Sequence, residues 1–160
     1  MNLSPVERAF LDVIAYSELG ADLLVHSDNG YNVIVGSTAN NPDLFTDYSD
    51  HPNKLVHLGG HLESTAAGRY QILARNFYAY RLQLKLPDFS PDSQDQIAMQ
   101  MIRECRAIPD LLDGNIPRVL QLCASRWASF PGAGYGQTEH SLIYLMATFR
   151  WRLQVWKWTS

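Results

Sequence analysis

Apolar residues at Val6, Phe10, Val13 and Ile14 recur every three or four positions, the interval that brings side chains onto one face of an α-helix. Ser4, Pro5 and Glu7 mark where that helix starts, with a hydroxyl to cap it, a proline at its first position and a carboxylate three residues after the cap. The pattern predicts a helix running to Ser17 or Glu18, after which Leu19 and Gly20 let the chain turn away. Between Asp28 and Ser64 the period changes. Short β-prone runs at 31–35, 44–48 and 54–58 stand among turn residues and predict three antiparallel strands, with the polar stretch 37–43 as the loop joining the first two.

Helical spacing returns after Gly68. Ala74, Phe77, Tyr78 and Arg81 share one predicted helix, Ser90 and Pro91 open another that continues towards Arg106, and shorter helices fit 109–112 and 116–124. A last helix is expected to start near Glu139 and to carry Leu142, Leu145, Phe149 and Leu153. The elements add up to an α+β fold, mostly helical, with a small three-stranded antiparallel sheet inserted after the first helix. At 160 residues, one domain spanning 1–160 is expected, with a sheet-containing lobe at about 28–64.

Composition narrows the function classes. Apolar residues make up 46% of the chain and charged residues 18%, which excludes an intrinsically disordered polymer. The net charge of -3 argues against a general electrostatic grip on nucleic acid. From His140 onward, however, Arg150, Arg152 and Lys157 occur without any carboxylate. No stretch is long and apolar enough for a membrane span, and the first residues lack the pattern of a secretory signal, so a soluble chain made in the cytoplasm is expected. The two cysteines, Cys105 and Cys123, lack the C-x-x-C spacing of a metal or redox site and read as buried free thiols.

Glu18 draws attention because a carboxylate at a helix C-terminus faces the negative end of the helix dipole, which raises its pKa instead of stabilising its charge. Five strings then become informative together: Ala9-Phe10-Leu11-Asp12, Ala15-Tyr16-Ser17-Glu18, the run 45–52 (FTDYSDHP), the run 64–71 (STAAGRYQ) and the run 131–137 (PGAGYGQ). In this order, across roughly Val6 to Glu139, they resemble the lambda-type phage endolysins, lytic transglycosylases with a lysozyme-like fold.

That resemblance implies cleavage of the β-1,4 bond between N-acetylmuramic acid and N-acetylglucosamine in peptidoglycan, and it carries the family's single catalytic glutamate onto Glu18. The residues alone ask for the same thing: donation to a glycosidic oxygen needs a carboxylic acid still protonated near neutral pH, and a neighbouring aromatic such as Tyr16 suits that need. In a lytic transglycosylase the C6 hydroxyl of muramic acid is the nucleophile, so no second carboxylate is required. A hydrolysing muramidase would pair Glu18 with an aspartate, for which Asp28, Asp47 and Asp50 are available, and a wall-binding protein that has lost turnover is the alternative from another class.

The resemblance also places Gln71 beside the cleavage site, where its amide can donate and accept hydrogen bonds with a sugar acetamido or hydroxyl group, with Tyr70 in the same motif. Tyr135 and Gln137 sit in a glycine-rich lip suited to a sugar face, and Tyr31, Tyr48 and Ser49 are candidate contacts from the opposite side of a cleft walled by the small sheet. That lip lacks the lysine and hydroxyl of a phosphate loop. His57 and His61 have the spacing of metal ligands on a helix, but Gly59 and Gly60 between them break helicity, so no metal site is predicted and no cofactor is implied. The sequence departs from the family at Leu19, where a small residue is usual, and in the aromatic, basic segment 149–158. This tail suits either packing on the domain or contact with an anionic membrane or wall polymer. A monomer is expected, made in the host bacterial cytoplasm and released to the periplasm with the help of a separate holin, as the family resemblance implies.

Overall fold

The computed structural model describes residues 1–134 and 139–159. Helix α1 (Pro5–Leu19) begins as its sequence requires. The Ser4 backbone N–H donates to Glu7 Oε2 at 2.8 Å and the Glu7 N–H returns a bond to Ser4 Oγ at 3.3 Å, a reciprocal capping box. Gly20, at φ 76°, ends the helix, and the short α2 (Ala21–Val25) follows.

The β region differs from the expected three-stranded sheet. Among the described residues one ladder forms, between β1 (Val56–Gly59) and β2 (Leu62–Ser64), an antiparallel hairpin with a bulge between His57 and Gly59. Segments 31–35 and 44–48 contribute isolated bridges instead, Val33 with Leu44 and Ile34 with Ala67. The reason lies in how 32–35 spends its hydrogen bonds: Ile34 N–H goes to Asp43 O at 2.9 Å on one side, and Val35 N–H goes to Ala66 O at 3.0 Å on the other. Each pairing is too brief to propagate, and Gly30 (φ 88°) and Gly36 (φ 82°) bend the segment at both ends. His57, a candidate metal ligand by spacing, instead pairs across the hairpin with Glu63 at 2.7 Å. Among the described residues no group of three ligating side chains gathers.

Helices α3 (Ala74–Leu84), α4 (Pro91–Glu104), α5 (Ile108–Leu112) and α6 (Ile116–Cys123) follow, and α7 (Leu142–Thr159) closes the chain. α7 starts three residues later than the sequence pattern suggests. Ser141 supplies its cap, accepting from the Tyr144 N–H at 3.2 Å, while the Glu139 carboxylate is drawn off to the amides of Gly132 and Gly134 at 2.9 and 3.0 Å.

The chain resolves into two units, residues 1–18 with 98–160, and residues 19–97. In the first, Phe10, Val13, Ile14, Ile102, Leu111, Trp127, Phe130 and Leu145 are buried, and Phe10 meets Phe130 edge-on at 6.3 Å. In the second, Tyr70 is buried, and Ile72, Phe77 and Phe89 lie against a buried imidazole, His51, whose Nε2 lies 2.9 Å from Ile72 O and whose Nδ1 accepts from the Asn53 N–H. That pairing fixes the neutral tautomer, and burial holds the His51 pKa below its ordinary value. No helix among the described residues is long and apolar enough to cross a membrane.

Candidate active site

Glu18 is the penultimate residue of α1, partly exposed, in the unit formed by the two ends of the chain. Its neighbour Ser17 faces inward and is buried. The Ser17 hydroxyl donates to Ser129 Oγ at 2.7 Å, and the Ser129 hydroxyl in turn donates to Glu18 Oε1. The backbone of Ser129 bonds to the same carboxylate.

His140 holds this arrangement from behind. Its backbone N–H donates to Ser129 O at 2.9 Å and its ring Nε2 meets Ser17 O at 3.0 Å, while the ring stacks on Tyr144 at 5.0 Å. The segment after α6 is thereby tied to the last turn of α1 through two serines and a histidine. Sequence reasoning missed Ser129 and His140, which carry no motif of their own.

Burial raises the Glu18 pKa above the ordinary carboxylate value, and the hydrogen bonds from Ser129 pull against that rise without cancelling it. Tyr16 packs edge-on against Trp151 at 5.6 Å. Ser129 donates to the carboxylate through its hydroxyl, to Oε1, and through its backbone. The arrangement suits a general acid.

The other candidates lie in the second unit. Gln71 is partly exposed in a left-handed conformation (φ 49°), its side-chain amide donating to Gly68 O at 3.0 Å, which leaves its carbonyl oxygen available. Beneath it, Tyr70 is buried, and its hydroxyl and that of Tyr31 both donate to Asp95 Oδ1, at 2.6 and 2.9 Å. Tyr70 therefore offers its ring to the core and not to a ligand, whereas Tyr31 is partly exposed. Burial raises the Asp95 pKa, with the two tyrosine bonds opposing.

Gln94 completes this support. It is fully buried, accepts from the Arg69 N–H at 2.9 Å and donates to Tyr31 O at 3.0 Å. Tyr48 donates to Asp28 at 2.6 Å, and exposed Ser49 donates its N–H to Asp47 at 2.8 Å. Tyr135 and Gln137 lie outside the described residues.

Comparison with known proteins gives this geometry a family. The endolysin family model matches residues 8–154. The chain is 52% identical to the endolysin of Escherichia phage lambda over 145 residues, covering 89% of this chain and 88% of that protein. The chain belongs to the endolysin family. A second relative, the endolysin of Escherichia phage P2, is 49% identical over 148 residues and is covered over 89% of each chain. Among solved structures, bacteriophage lambda lysozyme complexed with a chitohexasaccharide matches with a TM-score of 0.87 at 49% identity, over 95% of this endolysin and 96% of that chain. Another structure of lysozyme from bacteriophage lambda matches with a TM-score of 0.83 at 48% identity. This endolysin therefore has the lambda lysozyme fold, about half helical with a small antiparallel sheet, here of two strands.

The tail is the part where the sequence left two roles open. Arg152 was grouped with the cations available to an anionic surface, but it turns inward: its Nε donates to the buried Asp12 carboxylate at 2.7 Å. Trp156 Nε1 donates to the same oxygen at 2.7 Å, and Arg8 lies over the Trp156 ring at 5.1 Å. Arg150, Lys157 and Trp158 remain exposed.

Proposed function

We propose that this endolysin cleaves the β-1,4 bond between N-acetylmuramic acid and N-acetylglucosamine in peptidoglycan by lytic transglycosylation, with Glu18 as acid and then base. The observation that carries the reading is the Glu18 carboxyl, raised in pKa by burial and held in place by Ser129. In the first step Glu18 protonates the glycosidic oxygen as its bond to the anomeric carbon breaks. Glu18, now ionised, takes the proton of the muramic acid C6 hydroxyl as that oxygen attacks the anomeric carbon. The carboxyl regains its proton, a 1,6-anhydro ring closes and no water is consumed.

The similar lambda lysozyme was solved with a chitohexasaccharide, which supports binding of glycan strands here. Gln71, Tyr31, Tyr48 and Ser49, together with Tyr135 and Gln137, are the proposed sugar contacts, while Tyr70 acts through Tyr31 and Asp95. The aspartates that a hydrolysing muramidase would need have local partners: Asp28 accepts from Tyr48, Asp47 from the Ser49 N–H, and Asp50 pairs with Arg81 at 3.2 Å. This supports a mechanism with one carboxylate. The reading includes a monomer without a cofactor, made in the host bacterial cytoplasm and dependent on a separate holin to reach the wall.

Mass analysis of the products from purified wall tests it. Every new glycan end is expected as 1,6-anhydro-N-acetylmuramic acid, with no oxygen taken up from isotopically labelled water. Reducing ends carrying that label would establish hydrolysis instead, and an intact wall would leave only binding.

A further inference from the structure

Cys105 and Cys123 are distant in sequence, but the fold brings their thiols together. Helix α4 ends in a Schellman motif: the Ala107 N–H reaches back to Ile102 O at 3.2 Å, the Arg106 N–H bonds Arg103 O at 2.9 Å, and Arg106 takes the left-handed conformation (φ 58°). This makes Cys105 the C-cap of α4. Cys123 is the last residue of α6.

The two helix ends are joined a second time. Arg126, whose N–H bonds Cys123 O at 2.9 Å, donates to the Glu104 carboxylate at 3.1 Å. Between these ends the Cys123 thiol lies close enough to Cys105 to feel its charge. Both are free, Cys123 buried and Cys105 partly exposed. All four residues belong to the unit that carries Glu18.

We propose that Cys105 and Cys123 are a modification site that closes to an intramolecular disulfide on meeting a small-molecule or protein disulfide oxidant, stapling the C-terminal end of α4 to that of α6. Exposure decides the order of events. The Cys105 thiol loses its proton and its sulfur attacks the oxidant's S–S bond, forming a mixed disulfide and releasing one thiolate. The Cys123 thiol, deprotonated in turn, attacks the Cys105 sulfur and displaces the second thiolate. Two thiols of the chain are oxidised, one disulfide of the oxidant is reduced to two thiols, and the two protons go to solvent or to the leaving thiolates.

Cys123 enters second for a physical reason. Burial, reinforced by the nearby Cys105, pushes its thiol far above the ordinary value, so it is a poor nucleophile towards an external reagent but needs only a partner already in contact. The bond would constrain the unfolded chain between the two cysteines and so stabilise the folded state. Its biological setting rests on the proposed wall-cleaving role, which takes the protein from a reducing to an oxidising compartment. The chemistry does not depend on that role.

The test uses the full chain incubated with excess oxidised glutathione, or with dithiothreitol as the reduced reference. Peptide mass mapping is expected to find Cys105 linked to Cys123 in a monomer that has lost two hydrogens. The thermal midpoint should rise by several degrees on oxidation and return on reduction. A Cys105→Ser chain, altered at the partly exposed position, should fold and show no such shift. A persistent glutathione adduct on Cys105, a disulfide-linked dimer, or two free thiols after full oxidation would each overturn the proposal. None of these readouts uses wall cleavage, so failure here is distinct from failure of the proposed reaction.

Discussion

Ser129 donates its hydroxyl proton to Glu18 across 111 residues of chain, and through Ser17 the same hydroxyl is itself held in place. The bond opposes the rise that burial gives the Glu18 pKa, and so bears on how readily its proton leaves. Replacing Ser129 by alanine removes one of the two Ser129 bonds that lower the Glu18 pKa and leaves the backbone one, so that pKa rises further. The acid form then persists to higher pH, and the alkaline limb of the rate–pH profile should move upward. Loss of one hydrogen bond to a charged group is worth about 1.5–3 kcal/mol, so a fall in kcat of about 10- to 100-fold is expected. Ser129→Thr, which keeps the hydroxyl, should recover most of the rate and the position of the limb. An unmoved limb in a folded Ser129→Ala protein would show that the serine does not tune Glu18.

Glu18→Gln preserves size and hydrogen-bonding reach but delivers no proton. Wall clearing should fall by about 10⁴-fold, the upper part of the range for general acid–base catalysis, with binding of a chitin-like oligosaccharide retained. Stability should change in the opposite sense. The folded-state pKa of Glu18 lies above its unfolded value, so its favourable contribution is complete below the unfolded carboxylate pKa and is lost as pH rises through the folded one. At neutral pH the glutamine variant should therefore melt higher than the parent, and the gap should shrink as pH falls into the ordinary carboxylate range. Melting curves across pH check this, and a gap that widens on acidification would contradict it.

The inward turn of Arg152 predicts that the tail has two separable roles. Asp12→Asn leaves the Arg152 guanidinium facing a neutral amide in a largely buried site, which should cost about 2–4 kcal/mol and lower the melting temperature. Arg150 and Lys157 contribute nothing to that contact. Changing both to glutamine should leave the melting temperature within a degree or two and reduce sedimentation with anionic vesicles, most clearly at low salt. Vesicle binding indifferent to both charges and to salt would show that the tail serves packing alone.

Gly68→Ala probes the support under Gln71. A methyl group there would stand 2.2 Å from Gln94 Oε1, on backbone at φ +79° that a side chain rarely adopts. Displacing Gln94 breaks its bonds to Arg69 N–H and Tyr31 O together. A loss of about 3 kcal/mol or more is expected, read from denaturant unfolding. A near-neutral result would mean that the Gln94 amide has room to move.

The parts of this molecule that were legible in its sequence are those decided locally. The start of α1 is one, because Ser4 and Glu7 satisfy each other's amides three residues apart and the apolar interval supplies the rest. The small antiparallel sheet was legible, its run at 54–58 falling on β1 (Val56–Gly59), but its strand number was not, because strand propensity says nothing of partners: 32–35 divides its bonds between 43–45 and 66–68. Glu18 was legible through the strings around it, which carry the endolysin resemblance. Its serine and histidine were not, since a hydroxyl 111 residues away leaves no trace in spacing. Asp12 was hidden in the same way, being the buried anchor for side chains 140 and 144 positions later.

The unit bearing Glu18 is assembled from the first 18 residues and from 98 onward, while 19–97 form an uninterrupted unit of their own. A ribosome therefore delivers the glutamate more than 100 residues before Ser129, His140 and Arg152. The intervening unit can fold as it emerges, but α1 must wait, its apolar face uncovered, until residues from 98 onward have been made. A nascent or prematurely terminated chain carries the reactive carboxyl without the groups that hold and tune it. A chain interrupted before residue 129 therefore lacks the hydroxyl that holds Glu18, whatever its first half has already built.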